Sequence, residues 1–185
     1  MPKIAEIEKT PNPNAVKFVL KEPVAVGFQR HYPTAEIARA DPLARALFGV
    51  GGVASVMMMD RWLTVTKEPE AVWNELLPRL APLIRVAPAA SEKADAPPEG
   101  EAAEADGIGG DPFLQKAHAA LKEHIFPFLA ADGGGLRVVG RSGKQVMIRY
   151  MGACQNCPAG LTGTLMAIEG VLRAEVDPEI TVLSV

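Results

Sequence analysis

The sequence predicts an α+β protein, built as two small α+β domains joined by a flexible acidic Ala/Pro/Gly linker. Three observations carry that reading. In both halves of the chain, short runs suited to strands alternate with runs of helical spacing. A stretch of altered composition separates the halves. The length, 185 residues, fits two small domains at about 100–200 residues per ordinary one.

In the N-terminal half, residues 4–8 and 16–20 read as short strands on either side of Thr10-Pro11-Asn12-Pro13-Asn14. Two prolines and two asparagines there make a rigid turn. A second hairpin is expected from residues 53–59 and 62–67, joined at Asp60-Arg61, because Trp62, Leu63, Val65 and Thr66 suit a pleated surface. Asp41-Pro42 opens a helix, with Asp as cap and Pro at the first position. Leu43, Ala46, Leu47 and Val50 fall on its one face. Glu68-Pro69-Glu70 is expected to open another helix, with Val72, Trp73, Leu76, Leu77 and Leu80 as its apolar face.

Residues 87–110 contain eight Ala, four Gly, three Pro, four Glu, two Asp and one Lys, and Ile108 is their one large aliphatic residue. Such a segment cannot bury enough apolar surface to offset the entropy of ordering it. It is read as a self-repelling linker between domains 1–86 and 111–185. The C-terminal domain starts with a second Asp-Pro pair, Asp111-Pro112. Leu114, Ala117, Leu121, Ile125 and Phe128 follow at spacings of three, four, four and three, which is one helical face. Pro127 lacks an N–H and crowds the carbonyl four residues back, so the helix is expected to kink or end there. Asp132-Gly133-Gly134-Gly135 reads as a turn, and residues 136–140 and 145–150 as a hairpin. A second helix is marked by Leu161, Leu165, Ile168 and Leu172, and a last strand by residues 180–185.

Charge and hydropathy exclude several classes. The net charge is -3, whereas a general nucleic-acid binder needs surplus Lys and Arg to neutralise phosphates. The uncharged, largely apolar run at residues 46–59 is shorter than the ~18 apolar residues of a membrane-spanning helix. Residues 1–6 offer no apolar signal core, and two cysteines three positions apart cannot staple a secreted fold. The expectation is a soluble protein of a reducing compartment, placed in the cytoplasm. No Ser/His/Asp set or carboxylate pair is visible, so no enzyme activity is expected.

The residues that carry chemistry are Cys154 and Cys157, in Met151-Gly152-Ala153-Cys154-Gln155-Asn156-Cys157-Pro158-Ala159-Gly160. A strand runs in and a helix runs out, and Gly152 and Gly160 let backbone approach a bulky group. Pro158 suits a first helical turn, whose N–H groups would lower the thiol pKa. Three readings compete. Two inert buried cysteines would not call for this spacing beside glycines. A redox dithiol of thioredoxin type should sit early in a βαβ unit, whereas this pair follows a hairpin. A metal or cluster site suits soft thiolates, which select iron–sulfur clusters, zinc or copper(I). Structural zinc and four-iron clusters take four ligands, and one chain supplies two thiolates. His31, His118 and His124 could complete a set, but two copies of the chain would do so by symmetry, with Cys154 and Cys157 from each.

In the C-terminal domain, residues 126–134 (Phe-Pro-Phe-Leu-Ala-Ala-Asp-Gly-Gly) and residues 152–158 (Gly-Ala-Cys-Gln-Asn-Cys-Pro) resemble the Nfu-type, or NifU-like, iron–sulfur cluster carriers. The N-terminal domain is similar to the Nfu N-terminal domain through Thr10-Pro11-Asn12-Pro13-Asn14, Lys17-Phe18, Pro42-Leu43-Ala44-Arg45, Leu47-Phe48 and Thr64-Val65-Thr66-Lys67-Glu68. The resemblance implies a homodimer that binds a 4Fe–4S cluster through Cys154 and Cys157 of each chain. It also implies receipt of the cluster from upstream assembly machinery and delivery to apo iron–sulfur proteins. The chain departs from the family at Ala159-Gly160, where a pair of serines is usual, and at Gly135, where an acidic residue often stands. The alternative from another class is a thiol–disulfide oxidoreductase using the same two cysteines. Met57-Met58-Met59, Trp62 and Trp73 are read as core and edge packing.

Overall fold

The computed structural model describes residues 3–26, 29–88, 108–155, 157 and 161–185, with backbone alone at 161 and 162. The chain divides into two compact units, Met1–Ala103 and Glu104–Val185, each an α+β unit with its own core. Of the linker expected at 87–110, residues 89–107 lie outside the described residues.

The N-terminal unit is a five-stranded sheet in the order β1-β2-β5-β4-β3. Its strands are β1 (Ile4–Lys9), β2 (Ala15–Leu20), β3 (Arg30–Tyr32), β4 (Val53–Met59) and β5 (Trp62–Lys67). Every pairing in it is antiparallel. Phe18, Val56, Met58, Leu63 and Val65 form a core with Leu43 and Leu47 of α1 (Pro42–Phe48) and Leu76, Leu80 and Ile84 of α2 (Trp73–Val86). The Asp41 cap is present: its Oδ1 accepts from the Ala44 N–H at 2.9 Å. Its Oδ2 accepts from the Tyr32 hydroxyl at 2.8 Å and the Arg30 guanidinium at 3.2 Å. Those contacts tie β3, which pairs with β4 at the sheet edge, to the start of α1.

Three details differ from the sequence reading. The Glu68-Pro69-Glu70 segment is a turn, and α2 starts at Trp73, where the indole N–H donates to the Pro13 carbonyl at 3.0 Å. Val72 is therefore a half-exposed cap rather than part of the apolar face. Pro78 and Pro82 lie within α2 on its exposed side, where water can satisfy the carbonyls they leave free. Met57 and Met58 are buried as expected. Trp62 is half-buried outside the core, with the Lys17 ammonium 5.6 Å from its ring centre.

The C-terminal unit packs α3 (Pro112–His124), α4 (Phe126–Ala131) and α5 (Leu161–Glu175) with the sheet β6-β7-β8. Asp111 caps α3 by accepting from the Phe113 N–H at 2.9 Å and also pairs with Arg141. The helix ends at His124, and Pro127 sits in the first turn of α4. This break turns Leu129 into the core and leaves Phe128 72% exposed, where a continuous helix would have buried it. Strands β6 (Gly134–Ser142) and β7 (Gln145–Gly152) are antiparallel, whereas β8 (Thr181–Ser184) runs parallel to β7. A parallel neighbour requires a crossover, and α5 supplies it. The cysteine segment thus lies between the strand and the helix of a β7–α5–β8 unit, so the topological argument against a redox dithiol does not hold.

Candidate metal centre

The site is built by glycines around a turn. Gly152 ends β7 with φ +60°, a left-handed conformation that favours glycine. The chain then turns through an Ala153 N–H bond to the Gly133 carbonyl (3.1 Å) and a Cys154 N–H bond to the Met151 carbonyl (3.3 Å). The Gln155 N–H reaches the Gly152 carbonyl at 3.1 Å, and the Cys157 N–H reaches the Cys154 carbonyl at 3.4 Å. Cys154 is half-buried and packs against the core, while Cys157 is 5% exposed.

The three glycines read as one turn have separate tasks. Only Gly133, at φ +73°, turns the chain; Gly134 and Gly135 begin β6. Gly134 pairs with Gly152 across the sheet, and Cys154 occupies the space a side chain would need. A Cβ at Gly134 would lie 2.3 Å from the Cys154 Sγ and 2.7 Å from its backbone nitrogen. Gly152, two positions before Cys154, was visible in the sequence, but the strand register that sets Gly134 opposite it comes from long-range pairing.

The electrostatics reverse one expectation. Burial pushes the Cys154 thiol up to about 12, the Asp132 carboxylate and Cys157 add to the rise, and the Gly135 N–H opposes it. The expected approach of a helix N-terminus to the sulfurs runs through residues 158–160, which lie outside the described residues; α5 begins at Leu161, four residues after Cys157. A soft metal centre replaces that proton and removes the penalty, since a coordinating thiol is deprotonated outright. The expected roles of Pro158, Ala159 and Gly160 fall outside the described residues.

None of the histidines joins the pair. Among the described residues, no group of three or more His, Cys, Asp or Glu side chains is placed to hold a metal ion. His118 instead meets the edge of the Phe126 ring, with centroids 5.5 Å apart, His124 is exposed at the end of α3, and His31 lies in β3 of the other unit. Two thiols in a glycine-walled turn on a small α+β domain are the chemistry-bearing feature of this unit.

Comparison with known proteins assigns the chain. Residues 4–89 match the family described as "Scaffold protein Nfu/NifU N terminal", and residues 118–183 match the "NifU-like domain". The human "NFU1 iron-sulfur cluster scaffold homolog, mitochondrial" is 31% identical over 95% of this chain and 68% of its own length. "NifU-like protein 5, mitochondrial" of Arabidopsis thaliana is 27% identical over 93% of this chain and 64% of its own. The chain thus spans about two thirds of the length of these relatives. A solution structure of a NifU-like protein from Saccharomyces cerevisiae is 28% identical, covering 44% of this chain and 76% of that one, with a TM-score of 0.41. The chain belongs to the Nfu/NifU-like iron–sulfur scaffold family. That family comprises scaffolds, not enzymes.

The cytoplasmic placement is corrected by the same comparison. The human, Arabidopsis and Drosophila relatives carry "mitochondrial" in their names. Two closely spaced thiols do not single out one compartment among several.

Proposed function

We propose that the chain carries a 4Fe–4S cluster between two copies of its C-terminal domain, held by Cys154 and Cys157 of each copy, and hands it to apo iron–sulfur proteins. The observation that carries this reading is the cysteine turn itself. It offers two soft ligands, walled by Gly133, Gly134 and Gly152, with no third ligand gathered among the described residues. A four-iron cluster takes four thiolates, and a twofold axis through the pair supplies them. A cluster held across an interface is half-released when the copies part, which suits cargo received from upstream machinery and passed on. Recipient thiolates replace Cys154 and Cys157 in turn. The test is the iron content and mass of the loaded protein, described at the close of the Discussion.

The oxidoreductase alternative asks for a first cysteine with a lowered pKa. Burial and Asp132 push Cys154 the other way, so the cluster reading is preferred.

The division of labour follows domains 1–86 and 111–185 with 87–110 as a tether. Both cysteines lie in the C-terminal domain, so the N-terminal domain serves recipient docking and raises the recipient's local concentration at the cluster. A chain lacking residues 1–110 is expected to load normally and to transfer about tenfold or more slowly to docked recipients at low concentration. Failure of the truncated chain to load at all contradicts this division.

A further inference from the structure

The sheet of the C-terminal unit has two faces of different character. Leu136, Val138, Val146, Ile148, Tyr150 and Val182 meet the helices in the core. Alternation along the strands sends Arg137, Met147, Arg149 and Leu183 to the opposite face, where Arg149 is exposed and Leu183 is 43% exposed. Arg137 and Arg149 stand directly opposite each other across β6 and β7. Like charges so placed destabilise a sheet. The N-terminal sheet has the ordinary arrangement, in which the cross-strand partners Glu8 and Lys17 form an ion pair at 3.2 Å. No acidic residue occurs in β6, β7 or β8. Elsewhere in the unit acids do meet bases: Asp111 pairs with Arg141, Asp177 and Glu179 with Lys144, and Glu169 with Arg173. Arg137 and Arg149 each make a contact of their own within the chain; what sets the pair apart is that both its members are cations.

The pair lies on the approach to the cysteine turn. Three residues separate Arg149 from Gly152, a distance of about 10 Å along an extended strand, and Gly152 faces Gly134 beside Cys154. The chemistry of a partner follows from the face. Two guanidinium groups, with Met147 and Leu183 paired next to them across β7 and β8, fit a surface that offers carboxylates around an apolar centre. Nucleic acid and anionic bilayers are repelled by a chain of net charge -3, which leaves an acidic protein. We infer that this face is a docking surface for acidic recipient proteins, whose carboxylates meet Arg137 and Arg149 while their cysteines face Cys154 and Cys157. The inference rests on the carrier reading above. It adds a second grip on the recipient, made by the cluster-bearing domain itself.

Arg149→Glu makes the test specific, because it turns the like-charge pair into the arrangement of Glu8 and Lys17. The full-length variant is expected to load like the parent and to melt at or above it. Calorimetric titration of the empty full-length protein with an acidic apo-ferredoxin at low salt should show binding weakened about tenfold or more in the variant. Cluster transfer to that apo-ferredoxin should slow by a similar factor, with the difference closing as salt rises. Transfer to a basic apo acceptor should not slow. Arg137→Glu makes the same opposite-charge pair from the other strand and is expected to behave alike, whereas Arg149→Lys keeps the charge and should keep most of the binding. Equal binding in parent and both Glu variants, an equal loss toward acidic and basic acceptors, or preferential binding of double-stranded DNA or phosphatidylglycerol vesicles through these arginines overturns the inference. Failure of the carrier reading is distinguishable: a parent that binds the apo-ferredoxin through Arg137 and Arg149 yet holds no iron keeps the surface and contradicts the carrier.

Discussion

Replacing either Cys154 or Cys157 with serine is expected to reduce the iron–sulfur content of the reconstituted protein to background. The loss is doubled by symmetry, since one substitution removes two of the four thiolates around a shared cluster. Serine offers a hard oxygen in place of a soft sulfur. The fold should survive. Cys154 is half-buried, and Cys157→Ser buries one hydroxyl, at a cost of about 1–3 kcal/mol. Circular dichroism and melting should resemble the parent within that margin. Retention of iron by either variant contradicts the ligand assignment.

Gly134→Ala is expected to be the most damaging substitution outside the cysteines. The new methyl would overlap the Cys154 sulfur and stand 2.7 Å from its backbone nitrogen. The sulfur could rotate away, but the nitrogen belongs to a turn fixed by the bond from the Ala153 N–H to the Gly133 carbonyl. The turn must therefore move, at the ~1–3 kcal/mol typical of overpacking, and Cys154 moves with it. A several-fold loss of loading with a melting point lowered by several degrees is expected. Gly163→Ala and Gly170→Ala are the controls: both lie in α5 with open space at the Cβ position, and alanine there should add about 0.5–1 kcal/mol of stability each. A Gly134→Ala protein that loads and melts like the parent removes the cradle from the account.

Local signals explain what was legible in advance. Asp41-Pro42 and Asp111-Pro112 each open a helix, because cap and proline act on their own first turn. The Pro127 break is equally local. By contrast, β3 has three residues, two of them Arg30 and His31, and depends on Tyr32 and Arg30 reaching Asp41 nine and eleven residues away. No pattern within the strand announces it. Glu68-Pro69-Glu70 carried a genuine helix-opening pattern, but the Trp73 bond to Pro13 accompanies a later start. At the site, the cysteine pair was plain in the sequence, while its surroundings were not. The protonation bias of Cys154 comes from burial and Asp132, the cradle from strand register, and the parallel β8 from long-range pairing.

The central claim is that one cluster is shared by two chains. The most direct measurement is iron and sulfide per chain, taken together with the mass by light scattering, on full-length protein loaded without oxygen. The account predicts about two iron atoms per chain and a mass of about two chains for the loaded species. Four iron atoms per chain, or a loaded species with the mass of one chain, contradicts it.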